Sequence, residues 1–194
     1  MSIKKTTLSI LFKDLTFTDE EQDLIASKFE LRKLKKGEIL LHANDVVYHQ
    51  YYVCNGCLRT YSVEKMGKEH TLQFAIKDWW ISDYTAFFTS TQAIVSIECI
   101  QEATIYKVSR ENMEVLFDKI PKLESFFRRK MEKSFANFQK RILGSLSMSA
   151  QERYNAFLNK YPDIEQSVKN YHIASYLGIT TESLSRIRKK ISKS

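Results

Sequence analysis

The chain has 194 residues, of which 43% are hydrophobic and 12% aromatic, with a formal charge of +7. This is enough apolar material for one large or two small packed domains, and no apolar run reaches the ~20 residues that a bilayer-spanning helix needs. An odd set of three cysteines, Cys54, Cys57 and Cys99, argues against a disulfide scaffold, while the modest positive excess suits an anionic partner such as nucleic acid.

Lys13 and Asp14 interrupt the apolar stretch from Leu8 to Phe12, and no small-residue cleavage site follows. No signal peptide is expected, and a cytoplasmic location follows from that reading. Residues 8–32 read as helical. Thr18 and Glu21 have capping-box spacing, and Leu24, Ile25 and Phe29 form an apolar stripe, which predicts a helical arm packed on a larger body.

From Leu34 to Ser109 the pattern changes to short apolar and β-branched runs separated by turn residues. Strands are predicted at 38–42, 48–53, 58–63, 71–76, 94–97 and 104–108, with Asn55-Gly56 as a hairpin turn and Met66-Gly67-Lys68 as another. Many short strands with regular turn signals predict a barrel-like or jelly-roll β domain. Cys54-Asn55-Gly56-Cys57 has C-x-x-C spacing, which suits either strand-end residues or a redox pair. His42, His49, His70 and His172 fit no metal-ligand spacing, and neither a P-loop nor G-x-G-x-x-G is present. No metal, cofactor or enzymatic activity is expected.

Residues 111–117 read as a short helix, and Pro121 suits the first turn of a longer one. Leu123, Phe127, Met131, Phe135, Phe138, Ile142 and Leu146 then recur at spacings of three or four, a seam of coiled-coil period. Phe127, Met131, Phe135, Phe138 and Ile142 are the candidate dimer contacts. The small residues of Gly144 to Ser149 are a candidate hinge, and Ser149 with Glu152 repeats the capping-box pattern. The division predicted is 1–118 for the β domain with its arm, 119–148 for the long helix and hinge, and 149–194 for a small basic domain.

In that last domain Ile173 and Leu177 lie on one helical face, Gly178 suits a left-handed helix end, and Thr180 suits the cap of a second helix. Leu184, Ile187 and Ile191 form the inner face of that second helix, and Glu182, Ser185, Arg186 and Lys189 its outer face. Arginine pairs with guanine O6 and N7, glutamate accepts from cytosine N4, and serine reaches several base edges. Glu182, Ser185 and Arg186 are therefore the candidate base contacts. Thr180, Thr181, Ser183, Arg188, Lys189 and Lys190, with Lys193 beyond them, are candidates for phosphate contacts. A solvated surface helix would show much the same charge pattern.

Ile173-Ala174-x-x-Leu177-Gly178-Ile179-Thr180 followed by Glu182-x-x-Ser185-Arg186-Ile187 resembles the winged-helix signature of the Crp/Fnr family of bacterial transcription regulators. The resemblance implies an α+β fold: a β-roll of the cyclic-nucleotide-binding type, a long dimerisation helix and a C-terminal winged helix-turn-helix. It also implies a homodimer on a palindromic operator in double-stranded DNA, with half-sites close to TTGAT about one helical turn apart, and RNA polymerase as a further partner. The family's glycine before the aspartate after the first strand is Asn44 here, and asparagine also tolerates left-handed φ.

Cyclic-AMP-binding members carry a cassette beginning Gly-Glu and ending Arg-Ser. Laid on this chain without gaps, it puts Ser82 and Asp83, followed by Tyr84, at the first pair, and Ala93 and Ile94 at the second. The phosphate-pairing arginine is lost, and residues 85–97 hold no Lys or Arg. Cyclic AMP is therefore not the expected effector. Trp79, Trp80, Tyr84, Phe87 and Phe88 serve either as core or as the lining of a pocket for an unidentified small molecule. The iron–sulfur cysteines of the Fnr branch are absent from the N-terminal segment. An alternative reading is a ligand-binding β-roll whose C-terminal domain meets a protein partner.

Overall fold

The computed structural model describes residues 5–162, 164, 165 and 168–192. Its amino-terminal arm is two helices, α1 (Lys5–Leu11) and α2 (Asp19–Lys28), not one helical stretch. Both halves of the capping box form at α2: Glu21 N donates to Thr18 Oγ1 at 3.2 Å, and Thr18 N donates to Glu21 Oε2 at 2.9 Å. The helix stops at Lys28 because Glu30–Leu34 is a strand, β1, paired with residues 103–107. That partner is distant in sequence, so helical periodicity could not reveal it.

The roll continues through β2 (Ile39–Leu41), β3 (His49–Val63), β4 (Glu69–Ala75), β5 (Trp80–Ile81), the short helix α3 (Tyr84–Thr89) and β6 (Ser96–Ser109). All pairings are antiparallel, in the order β1-β6-β3-β4, with β2 also on β6 and β5 on β3. Asn55-Gly56 is not a hairpin. β3 runs straight through it with bulges against β6, and Asn55 Oδ1 accepts Thr104 N at 2.7 Å. Gly56 has φ +80°, and a Cβ there would lie 2.2 Å from Glu102 O, so close backbone approach is what demands glycine. Likewise the strand expected at 104–108 and the second half of the one expected at 94–97 belong to the single bent strand β6. Asn44 does adopt left-handed φ, +73°.

Helix α4 (Arg110–Lys119) leads into α5 (Pro121–Ser147), which has Pro121 in its first turn. Then come α6 (Ala150–Lys160), capped by the Ser149–Glu152 box, α7 (Asn170–Leu177) and α8 (Thr181–Ile191). Helix extends through Ser147, which confines the break between α5 and α6 to Met148 and Ser149. No wing strands follow α8 among the described residues.

Three apolar clusters hold the molecule together. One lies inside the roll, around Val53, Leu58, Ile81, Ile97 and Ile105. A second joins α1, α2, α4 and the start of α5 to Tyr52 and Trp80. In the third, Cys57, Phe74 and Ile100 of the roll pack against Tyr154, Phe157, Tyr161, Ile173, Leu177 and Leu184. The C-terminal helices thus share their core with the roll. Side chains from three helices also bond the free edge of β4. Ser175 Oγ accepts Thr71 N at 2.8 Å and donates to Glu69 O at 2.7 Å. Tyr161 Oη donates to Phe74 O at 3.3 Å, and Arg141 Nη1 to Leu72 O at 2.7 Å. An edge strand's orphaned polar groups are satisfied in this way. Burial pushes the Cys54 thiol up to about 11 and Cys57 up to about 12, which makes both poor nucleophiles at neutral pH.

Candidate nucleic-acid interface

Gly178 ends α7 with φ +67°, donating its N–H to the last carbonyls of the helix. Two residues later Thr180 caps α8, its Oγ1 accepting Ser183 N at 3.2 Å. Leu184 is fully buried, and the half-buried Ile187 and Ile191 pack on the same cluster. That fixes the roll angle of α8 and leaves Glu182, Ser185, Arg186, Lys189 and Lys190 exposed.

The three candidate base contacts share this outer face. Its own backbone N–H, then the Thr180 and Thr181 hydroxyls, hold the Glu182 carboxyl below the usual carboxylate range. It is therefore an anionic acceptor at neutral pH. Arg186 Nη2 donates to Ser183 Oγ at 3.1 Å, which lays the guanidinium along the helix surface, and Ser185 Oγ donates back to Thr181 O at 3.0 Å. Thr180 is exposed, while Thr181 and Ser183 are partly exposed at the start of α8. Lys193 lies outside the described residues.

Arg188 is not on this face. It follows Leu184 by one helical turn, and that spacing turns it inward. Its Nε lies 2.9 Å from Glu165 Oε1 and donates to Tyr154 Oη at 3.0 Å, and its Nη1 donates to Asn170 Oδ1. Its charge is engaged by Glu165, so it is a bracket tying α8 to α6 and α7 and not a phosphate contact. Helical phase alone would have found this. Arg188→Ala should weaken duplex binding about tenfold by loosening α8, yet leave the slope of log affinity against log salt unchanged. Lys189→Ala should lower that slope by about 0.9. Titrations at several salt concentrations separate the two.

In the roll, Ser82 Oγ donates to His49 O at 2.8 Å. Asp83, only 3% exposed, caps α3 by accepting Ala86 N at 3.1 Å. Its other oxygen accepts Ile94 N at 2.7 Å and Val95 N at 3.2 Å. The cassette positions do come together, but around a carboxylate already satisfied by three amides. Ala93 is buried, and Ile94, 63% exposed, points away. The Tyr84 ring stacks on Phe88 at 5.5 Å, while Trp80 and Phe87 are core.

Comparison with known proteins agrees with this geometry. Residues 31–119 match the family model described as "Cyclic nucleotide-binding domain". An anaerobic regulatory protein of Pasteurella multocida is 24% identical over 96% of this chain and 72% of its own length. A fumarate and nitrate reduction regulatory protein of Vibrio cholerae is 24% identical over 97% of this chain and 79% of its own. Among solved structures, FixK2 of Bradyrhizobium japonicum superposes with a TM-score of 0.75 at 16% identity, covering 85% of each chain. A putative crp/fnr-family transcriptional regulator of Eubacterium rectale gives 0.70 at 21% identity, over 91% of this chain and 84% of that one.

The chain has the fold of Crp/Fnr-family regulators, with residues 31–119 matching a cyclic nucleotide-binding domain.

Within this Crp/Fnr-type fold, α5 has two faces. Leu123, Phe126 and Phe127 are buried against the arm and Trp80 of the same chain, with Phe127 ring-to-ring at 4.9 Å from Trp80 and 5.6 Å from Phe117. Phe127 is therefore intramolecular core and not a dimer contact. From Met131 onward the seam drifts off the body: Met131 is half-buried, and Phe135, Phe138 and Ile142 are exposed, joined by Leu143 and Leu146. No helix among the described residues is long and apolar enough to cross a membrane.

Proposed function

We propose that this chain is a homodimeric, DNA-binding transcription regulator that reads a palindromic duplex through Glu182, Ser185 and Arg186. The observation that carries this is the outer face of α8: an anionic acceptor, a hydroxyl and a guanidinium projecting together from a helix whose other side is locked into the core. Lys189 and Lys190 flank it and suit the phosphates. Selection of bound duplexes from a random pool should return an inverted repeat with half-sites about one helical turn apart. Arg186→Ala should cost ~1–3 kcal/mol on the selected site and relax one guanine position. If Arg186→Ala binds that site as tightly as the parent chain, the assignment of the contact fails.

The roll supports regulation without a cyclic nucleotide. Residues 85–97 hold no Lys or Arg, Arg110 reaches the cassette but is bonded to Phe87 O and Ser90 Oγ, and the Ile94 and Val95 amides already serve the Asp83 carboxylate. An anion entering there would meet a buried carboxylate, at a cost of several kcal/mol. Isothermal titration with cyclic AMP and cyclic GMP is expected to show no binding at micromolar concentrations. A micromolar or tighter complex with either nucleotide would overturn this part of the reading.

A further inference from the structure

Between α5, the outer edge of β4 and helices α6 and α7 lies a cleft with two lobes, of about 300 and about 720 Å³. Both are lined by Leu72, Trp79, Asn137, Arg141, Lys160 and Tyr176, so they form one continuous space. The larger has the size of a small-molecule site. His70, Lys140, Arg141, Arg153 and Lys160 line it, and no Asp or Glu among the described residues does. The smaller lobe has one carboxylate, Asp78, which accepts from the Tyr52 hydroxyl at 2.7 Å and lies 3.7 Å from Lys13 Nζ.

The cations of the cleft are satisfied by carbonyls and aromatic rings. Arg141 donates to Leu72 O and lies over the Phe138 and Tyr176 rings, at 5.2 and 5.4 Å. Arg153 donates to Leu177 O at 3.0 Å and Met148 O at 2.7 Å. The Lys160 ammonium stands 5.2 Å from the Trp79 ring centre and 5.3 Å from that of Tyr161. Burial first, and then Arg141, holds the Lys160 pKa below the usual lysine range. Arg141 and Arg153 are half-buried and Lys160 is exposed at the rim; with no Asp or Glu among the described residues lining the larger lobe, these cations focus potential on an incoming anion.

We propose that this cleft is an effector site for a small organic anion with a flat apolar body, its charge taken by Lys160 and Arg141 and its ring held between Trp79 and Tyr176. Leu177 and Gly178, at the turn before α8, line the same lobe, so one bound molecule touches the roll, the long helix and the helix-turn-helix together. Asn137 and Arg141 face the cleft from the side of α5 turned away from Phe135 and Leu146, while Phe138 and Ile142 of the exposed stripe border it. A dimer formed through the exposed stripe therefore runs along the rim of the cleft. The proposal stands on the cleft's geometry and not on the DNA reading.

The test is fluorescence titration of the whole 194-residue chain with 8-anilinonaphthalene-1-sulfonate, with uncharged N-phenyl-1-naphthylamine as the comparison probe. Saturable binding of one sulfonate per chain is expected. Lys160→Glu and Lys160→Met should each weaken it about tenfold or more while changing the neutral probe less than about twofold. The methionine variant keeps the apolar stem, which makes it the decisive one if the glutamate variant folds poorly. Non-saturable sulfonate binding, full retention by the methionine variant, or equal loss of both probes would overturn the proposal.

Discussion

A Phe135→Glu variant is expected to sediment as a 22.8 kDa monomer at micromolar concentration, and to lose tight binding to a palindromic duplex. Phe135 is 70% exposed in the single chain, and Phe138, Ile142, Leu143 and Leu146 continue its stripe along the outer side of α5. Such a run of apolar side chains on one helix face marks an interaction surface. A second copy of the same helix, packed in parallel, would cover it with its own stripe. Burying a phenylalanine contributes roughly 1.5–3 kcal/mol, and a carboxylate in its place adds a desolvation penalty. A two-fold contact carries the substitution twice, so the dissociation constant should rise on the order of a thousandfold or more. The half-sites of a palindrome are read together only when two recognition helices are joined, hence the loss of operator affinity. The fold itself should survive, since Phe135 is not part of any buried cluster. Unchanged circular dichroism with a monomeric mass is the expected pair of results. A variant that remains dimeric at micromolar concentration places the interface elsewhere.

Local chemistry was legible in the sequence, and distant pairing was not. Thr18 with Glu21 and Ser149 with Glu152 close both capping boxes because a box needs only four consecutive residues. Gly178 and Thr180 mark the ends of α7 and α8 for the same reason. Residues 30–32 read as the end of a helix, since the partner of β1 lies in β6 and no local pattern announces that. Asn55-Gly56 carries the dipeptide of a hairpin, yet the fold uses its positive φ to let β3 pass close to Glu102. At the interface, the outer face of α8 followed from helical phase. Arg188 reads as a phosphate contact by its charge, although its spacing from Leu184 puts it inside. Periodicity puts Phe127 in the seam, but a long helix packs on its own body before it reaches a partner, and only the fold shows where that change occurs. Glu98, which pairs with Arg59, lies 39 residues further along the chain, and composition cannot bring the two together.

Arg59 is the residue whose loss should cost the fold most. It is 2% exposed and makes four charged or polar contacts. Nε and Nη2 donate to Glu98 Oε2 at 2.9 and 2.7 Å, Nη2 to Glu69 Oε2 at 2.6 Å, and Nη1 to Thr71 Oγ1 at 3.3 Å. The guanidinium also lies 4.1 Å from the centre of the Tyr61 ring. One cation thereby cross-links β3, β4 and β6 beneath the surface on which α7 docks. Glu69 and Thr71, two of its partners, are the residues whose backbone Ser175 engages. His172 of α7 is buried nearby, and its pKa is pushed down to about 3 by burial, then by Arg59 and Lys169, so it sits there as a neutral ring. Arg59→Met keeps the stem but leaves two carboxylates without their cation, a change that costs about 3–5 kcal/mol when a buried pair is broken from one side. For a chain of this size that lowers the melting temperature by roughly 10 °C. Adding Glu98→Gln to Arg59→Met should restore part of the loss, because removing both partners of a buried pair is far less harmful than removing one. Since the α7 contacts stand on the same strands, the single variant should also be cut faster by protease at Met148–Ser149, between α5 and α6. An Arg59→Met chain that melts within about 2 °C of the parent would show that the network contributes little net stability. In that event the docking of α7 would rest on the apolar cluster of Phe74, Phe157 and Tyr161 alone.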